Sequence, residues 1–352
     1  MTRKLPRRSH ARVVRLALFA GAMALLLAAC SQPYPYNTLN PAGPVADKQA
    51  DLFAVVFWIA VAVFVLVEGA LVVAMVRFRS RGGREGMDIP KQIHGNTRLE
   101  VIWTILPALL LAGVAVPTVG TLFDLADVPE GGLRVNVIGH QWWWEIEYPD
   151  LKVITANEVH VPTDRPVNLT LRSNDVIHSF WVPRLAGKQD LVPGRDIELS
   201  IQAPTPGTYR GQCAEYCGLS HANMRFRVVA QEPAEFEAWV EQQRTAAPAP
   251  APGTDAAEGL EVFRNPLPQG TGACIACHAV QGVEGAVARV GPDLSHVGGR
   301  QTIAAGILPN TEEGLERWLR DPPRAKPGSK MPNYQLSDEQ IEALVAYLRS
   351  LK

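Results

Sequence analysis

The sequence predicts a multidomain chain: a two-helix transmembrane hairpin, then an all-β sandwich, then a small all-α domain. Three observations predict it. Two long apolar runs lie early, at Leu52–Val76 and Val101–Leu122. From about Gly132 to Gln231 the pattern changes to short segments alternating with period two. A Pro/Ala stretch then precedes a tail that ends in an amphipathic helix.

Each apolar run has the roughly 20 residues needed to cross a hydrocarbon core. The first is broken only by Glu68, and the second carries Pro107 and Pro117 but no charge. Between them stand Arg77, Arg79, Arg81, Arg84, Lys91 and Arg98 against Glu85 and Asp88. The positive-inside rule puts that loop in the cytoplasm, and both flanks outside. Ahead of the hairpin, Arg3, Lys4, Arg7, Arg8, Arg12 and Arg15 precede a short apolar core ending Leu27-Ala28-Ala29-Cys30. That is a signal-peptide shape, and the terminal Cys reads as a bacterial lipoprotein box in which Cys30 is acylated. An uncleaved anchor with an idle Cys is the other reading. The expected divisions are 1–29 signal peptide, 30–50 tether and 51–123 hairpin.

Leu133–Ile138, Val167–Leu171 and Ile197–Ile201 alternate inward and outward, as half-buried strands do. Several such strands within about 100 residues suggest a sandwich or barrel. The sandwich is expected over 124–232 and a closing helix over 233–244, followed by a semi-rigid Pro/Ala linker to about 256. The last domain, 257–352, ends in a helix opened by the capping box Ser337/Gln340, with Ile341, Leu344, Val345 and Leu348 as its core stripe. The formal net charge of −1 gives no ground for nucleic-acid binding.

The chain has five cysteines: Cys30 and two close pairs, Cys213/Cys217 and Cys274/Cys277. An exported protein invites a disulfide reading first. The segment Cys213–Met224, however, packs two thiols, His221 and a thioether into twelve residues, with His178 upstream. Soft sulfur with imidazole is a copper or zinc ligand set. A closed zinc site would take Cys213, Cys217, His221 and His178, leaving Met224 without a role. The flanking strand-like segments and Gly218 place the cluster on a loop. The second pair lies in Cys274-Ile275-Ala276-Cys277-His278. Two thiols at this spacing suit covalent attachment of haem c, with the adjacent His on the iron; a redox Cys-x-x-Cys with a bystander His is the alternative.

Cys-x-Glu-x-Cys-x3-His-x2-Met after His-Ser-Phe-x-Val-Pro resembles the copper A signature of cytochrome c oxidase subunit II. Gly139–Trp144 and Asn96–Pro107 resemble that family's aromatic segment and second membrane helix. Cys274–His278 with Gly291-Pro292-Asp293-Leu294 and Lys330-Met331-Pro332 resembles a class I cytochrome c, fused as in caa-type haem–copper oxidases. The resemblance implies a cupredoxin-like Greek-key sandwich binding two copper ions. Cys213 and Cys217 would bridge them, His178 and His221 would bind one each, and Met224 and the Glu215 carbonyl would be weak ligands. The Glu215 side chain would face a magnesium shared with subunit I. One covalent haem c would be held by Cys274 and Cys277, with His278 and Met331 as axial ligands. Trp142 would be the surface point where electrons arrive, although three consecutive Trp residues also suit packing. Glu100 would open a proton route, or be only a helix-end carboxylate.

The implied function is electron transfer from cytochrome c, or another haem donor, to the oxygen-reducing site of subunit I, coupled to proton translocation. Oxygen chemistry would belong to that partner. The setting would be a bacterial inner membrane, multi-pass, with the copper and haem domains periplasmic and subunit III beside them. Two other readings stand: a tethered electron carrier serving another reductase, and a copper-less docking subunit of a quinol oxidase. No nucleic-acid partner is expected.

Overall fold

The computed structural model describes residues 34–79, 94–267 and 272–352, with Leu18, Gly21, Ala22 and Ala24. Residues 38–352 make one compact unit and residues 1–37 another. Cys30, most of the signal segment, and Arg81, Arg84, Glu85, Asp88 and Lys91 lie outside the described residues.

Helix α1 (Pro44–Arg77) and helix α2 (Thr97–Ala126) are both longer than their apolar runs. The expected tether therefore gives way to helix at Pro44. Proline suits a first helical position because its missing N–H would have had no helical partner. Gly43 before it lies against the Gln202 carbonyl, where a Cβ would come within 2.3 Å. Asn96 caps α2 by accepting from Arg98 N at 3.1 Å and Leu99 N at 3.3 Å. No residue in the apolar window of either helix is buried within the chain, as suits faces meant for lipid.

Next come β1 (Leu133–His140), β2 (Trp143–Tyr148), β3 (Val153–Ala156), β4 (Glu158–Pro162) and β5 (Val167–Ser173). They are followed by β6 (His178–Trp181), β7 (Lys188–Leu191), β8 (Ile197–Ile201), β9 (Gly207–Cys213) and β10 (Arg225–Gln231). They pair as two five-stranded sheets, β3-β2-β1-β5-β8 and β4-β10-β9-β6-β7. β1/β5 and β4/β10 are parallel, and the other pairs are antiparallel. The alternating residues of β1 bury one side, so the two sheets close on a shared core, the Greek-key sandwich expected. Trp144, Phe180 and Phe226 fill its centre, with Phe180 and Phe226 stacked at 4.3 Å.

Helix α3 (Pro233–Arg244) packs Phe236 and Val240 against the sandwich. The last domain opens at Asp255, two residues before the expected boundary, because the Thr254 side chain caps the first turn by accepting from Ala257 N. It contains α4 (Asp255–Arg264), the small hairpin β11 (Thr302–Ile303) and β12 (Leu308–Pro309), α5 (Glu312–Arg320), α6 (Pro322–Ala325) and α7 (Asp338–Ser350). The capping box of α7 is formed, and its four stripe residues are buried. Gly259 lets α4 cross α7 closely, since a Cβ there would lie 2.0 Å from the Ala343 carbonyl oxygen. The linker does not leave this domain free. Ala247 packs against its core, and Gln281 Nε2 donates to the Arg244 carbonyl at 3.0 Å.

Candidate metal and haem centres

The copper-type cluster sits where β9 ends and β10 begins. Cys213 is the last residue of β9, His221–Asn223 makes a short turn, and Met224 precedes β10. Cys213 N donates to the Met224 carbonyl at 2.9 Å, and Ala214 N to the Ser179 carbonyl at 3.0 Å, so the loop closes onto β6 and brings His178 to it. Gly218 has φ +115, and a Cβ there would stand 3.0 Å from the Trp142 ring.

Six donors converge here. The two thiol sulfurs are 3.8 Å apart, far beyond the roughly 2.05 Å of a disulfide. His178 Nδ1 lies 4.0 Å from Cys213 Sγ, and His221 Nδ1 lies 3.7 Å from Cys217 Sγ. Met224 Sδ is 3.8 Å from Cys217 Sγ, and the Glu215 carbonyl accepts from Cys213 Sγ at 3.2 Å. Four of these side chains, His178, Cys213, Cys217 and Met224, are buried. A tetrahedral zinc needs four ligands, so zinc would leave the thioether and the carbonyl without a role. Soft donors in excess of four fit copper. The Glu215 side chain is exposed, beside the exposed Tyr216 and Leu219.

Asp175 orients this cluster, a role its sequence position did not disclose. Its Oδ1 lies 2.8 Å from His178 Nε2, which turns His178 Nδ1 toward the sulfurs. It also accepts from Gln141 N at 2.6 Å and Val176 N at 2.7 Å. Burial opposes the charge on Asp175, but these bonds outweigh it and hold the carboxyl down to about 2. Burial likewise opposes a charged His178, and its bonds to Asp175 and Cys213 reverse the balance and raise it. Cys213 is pulled down, chiefly by its bond with Cys217, and Cys217 is pushed up by the same bond.

In the last domain, Cys274, Cys277, His278 and Met331 stand around one cavity, whose apolar wall includes Phe263, Leu315, Leu344 and Leu348. His278 Nδ1 donates to the Pro292 carbonyl at 2.7 Å, which leaves Nε2 to face the cavity as an iron ligand would. Burial lowers the pKa of His278 and keeps it neutral, the form that ligates. Gly291 packs on the imidazole, where a Cβ would approach within 2.6 Å. Arg300 also lines the cavity, and its buried Nε has no partner among the described residues. An apolar slot with two thiols, an imidazole, a thioether and a buried guanidinium that keeps one N–H free fits haem c and its carboxylates.

Trp142 departs from the surface position expected of it. It is 9% exposed, because the chain's own last domain covers it, and it forms part of the haem cavity's wall with Gln141, Trp143 and Asn157. Its Nε1 donates to the Cys217 carbonyl at 3.0 Å. Glu100 is exposed in the first turn of α2, apart from both centres in sequence and in element. Lys326 and Glu158, which sequence reasoning also missed, are buried where the two domains meet.

Three family models match the chain. "Cytochrome C oxidase subunit II, transmembrane domain" matches residues 31–120, "Cytochrome C oxidase subunit II, periplasmic domain" residues 151–231, and "Cytochrome c" residues 256–352. "Cytochrome c oxidase subunit 2" of Alkalihalophilus pseudofirmus is 39% identical over 337 residues, covering 94% of this chain and 95% of the relative. The protein of the same description from Bacillus sp. strain PS3 is 42% identical over 356 residues, covering 96% and 97%. "Quinol oxidase subunit 2" of Bacillus spizizenii is 33% identical over 242 residues, covering 66% of this chain and 73% of the relative. The chain therefore belongs to the cytochrome c oxidase subunit II family and carries a cytochrome c domain fused at its C-terminal end.

Proposed function

We propose that this subunit receives electrons from a cytochrome c, or another haem donor, and relays them to the oxygen-reducing haem–copper site of subunit I, coupled to proton translocation. Cys274 and Cys277 would hold one haem c covalently, with His278 and Met331 on its iron. Cys213 and Cys217 would bridge two coppers, with His178, His221, Met224 and the Glu215 carbonyl completing the set. The haem and the copper pair each supply a one-electron site. The residues do the rest: Asp175 orients His178, Pro292 orients His278, and burial of Cys213, Cys217 and Met224 shields the copper-type cluster from water.

The exposed Glu215 side chain would face a magnesium at the border with subunit I, and Glu100 would open a proton route into that partner. The hairpin would sit in a bacterial inner membrane, with Cys30 acylated, the copper and haem domains periplasmic, and subunit III alongside. The observation that carries the reading is the convergence of His178 with five donors of Cys213–Met224, beside a cavity lined by Cys274, Cys277, His278 and Met331 that shares Trp142 as a wall. A copper-less docking subunit of a quinol oxidase would give those donors nothing to do.

The test is to purify the full chain after haem maturation and copper supplementation, then measure copper, zinc and haem per chain with the electron spin resonance spectrum. Two coppers per haem, sharing one unpaired electron, are expected. Zinc, or a single copper, would overturn the copper A assignment. Co-purification with a large haem-bearing subunit separates an oxidase from a carrier serving some other reductase.

A further inference from the structure

The copper domain and the cytochrome domain each place a buried charge across the seam between them, Glu158 and Lys326. Glu158 on β4 is 1% exposed, and its Oε1 accepts from Gln301 N at 2.8 Å, Thr302 N at 3.1 Å and the Thr302 hydroxyl at 3.4 Å. Lys326, directly after α6, is 4% exposed, and its Nζ donates to the Trp142 carbonyl at 2.5 Å and the Ala304 carbonyl at 3.2 Å. The bonds that satisfy Glu158 thus cross from copper domain to cytochrome domain. The shorter bond of Lys326 crosses the other way.

Buried charges of this kind set register more than they add strength. Their desolvation offsets most of the attraction, but any slippage that leaves one unpaired costs several kcal/mol. The seam also has rim pairs, Arg289 with Glu147 at 3.4 Å and Lys330 with Asp175 at 3.8 Å, in which the cation is half exposed or more. Such pairs are worth little and are screened by salt. The buried charges of Glu158 and Lys326 therefore bear on the register more than these exposed pairs do. Burial holds the Lys326 ammonium down to about 7, as expected of a cation that has exchanged water for carbonyls.

What this register holds in place is Trp142. Lys326 grips its carbonyl while its indole Nε1 donates to Cys217, so one residue is fastened from both sides. Gly328, with φ +87, lets the chain leading to Met331 lie on the indole, where a Cβ would come within 3.1 Å of the ring. Ser220 of the copper loop donates to the Pro327 carbonyl at 2.6 Å and clips the same segment.

We propose that Lys326 and Glu158 are positioning residues that fix the cytochrome domain on the copper domain in a single register, with Trp142 as a permanent bridge between haem cavity and copper loop. The inference rests on the relay proposed above. One electron leaves the reduced haem and reduces the oxidised copper pair, and no bond is made or broken. The transfer then needs no search by a tethered domain.

The experiment uses the full chain loaded with haem and copper, and photoreduces the haem with a flash. The haem-to-copper transfer rate is followed from about 0.01 to about 1 M salt. The unaltered chain should transfer at a rate that salt does not change. Lys326→Met should slow it by about tenfold or more and make it salt-dependent, with both cofactor spectra unchanged, and Lys326→Arg should recover most of the rate. Glu158→Gln should act in the same direction, and it provides the reading should Lys326→Met fail to accumulate. Fast, salt-independent transfer in both Lys326→Met and Glu158→Gln overturns the positioning role and leaves the relay standing. Absence of transfer in the unaltered chain, with both cofactors present, overturns the relay itself.

Discussion

The indole Nε1 of Trp142 donates to the carbonyl oxygen of Cys217 at 3.0 Å, so a residue walling the haem cavity is bonded to the backbone of a copper-loop cysteine. Gln141 Nε2 donates to the same oxygen at 2.8 Å. Trp142→Phe keeps an aromatic ring but removes one of these two donors. We expect a stability cost of about 1 kcal/mol, since the carbonyl keeps its other partner. Haem-to-copper transfer should slow while the copper spectrum is retained. Flash photoreduction beside a urea titration checks both, and an unchanged rate would remove Trp142 from the route.

Asp175 gives the metal-free chain a defined acid limb. Its carboxyl sits near 2 against an ordinary value of 3.8, because three bonds to the charged form outweigh burial. A depressed folded value contributes stability that is complete above the ordinary value and lost as pH falls through the folded one. The window is therefore about pH 4 down to about pH 2, and the contribution is about 2 kcal/mol. Asp175→Asn should flatten that limb in denaturant midpoints measured across pH, and should weaken copper binding by roughly 10–100-fold. A variant with the same acid limb would show that the stabilisation comes from elsewhere.

The candidate copper cluster was legible in the sequence because five of its six donors fall within twelve residues, and only His178 had to be brought from another strand. Cys274, Cys277 and His278 were legible for the same reason, whereas Met331, far downstream, was legible only through Lys330-Met331-Pro332. Asp175 was visible only as a lone acid, since its role depends on the turn that places it three residues before His178, against Gln141. Lys326 and Glu158 carry no local signal. Their partners lie 184 and 143 residues away, and a charged residue reads as surface until a second domain covers it. The expectation for Trp142 failed for that reason too: a surface residue of the sandwich is an interior residue of the two-domain unit.

Gly259 tests the crossing of α4 over α7. A Cβ would lie 2.0 Å from the Ala343 carbonyl oxygen and 2.7 Å from Tyr347 Cβ, both in a packed core that cannot yield cheaply. Gly259→Ala should cost about 1–3 kcal/mol, despite the better helix propensity of Ala, because overpacking outweighs the propensity gain of about 1 kcal/mol. The loss should appear as a lower denaturant midpoint for the haem absorbance, with copper content unchanged. A stabilised variant would mean that the helices cross further apart.

Met331 separates ligation from packing. It lines the haem cavity and is half-buried against the cytochrome domain's core, and Leu fills nearly the same volume without a sulfur. Met331→Leu should therefore cost less than about 1.5 kcal/mol in stability. Its effect on the haem should be large in comparison. His278 would remain bonded to the Pro292 carbonyl and on the iron, while the second axial position would lose its thioether. The spectrum should change from low spin toward high spin. The haem potential should fall, because Met/His ligation raises it. An external donor would then reduce the haem less readily, even though the haem itself became the stronger reductant of copper. A potential titration followed at the haem absorbance checks this directly, and an unaltered low-spin spectrum would remove Met331 from the iron.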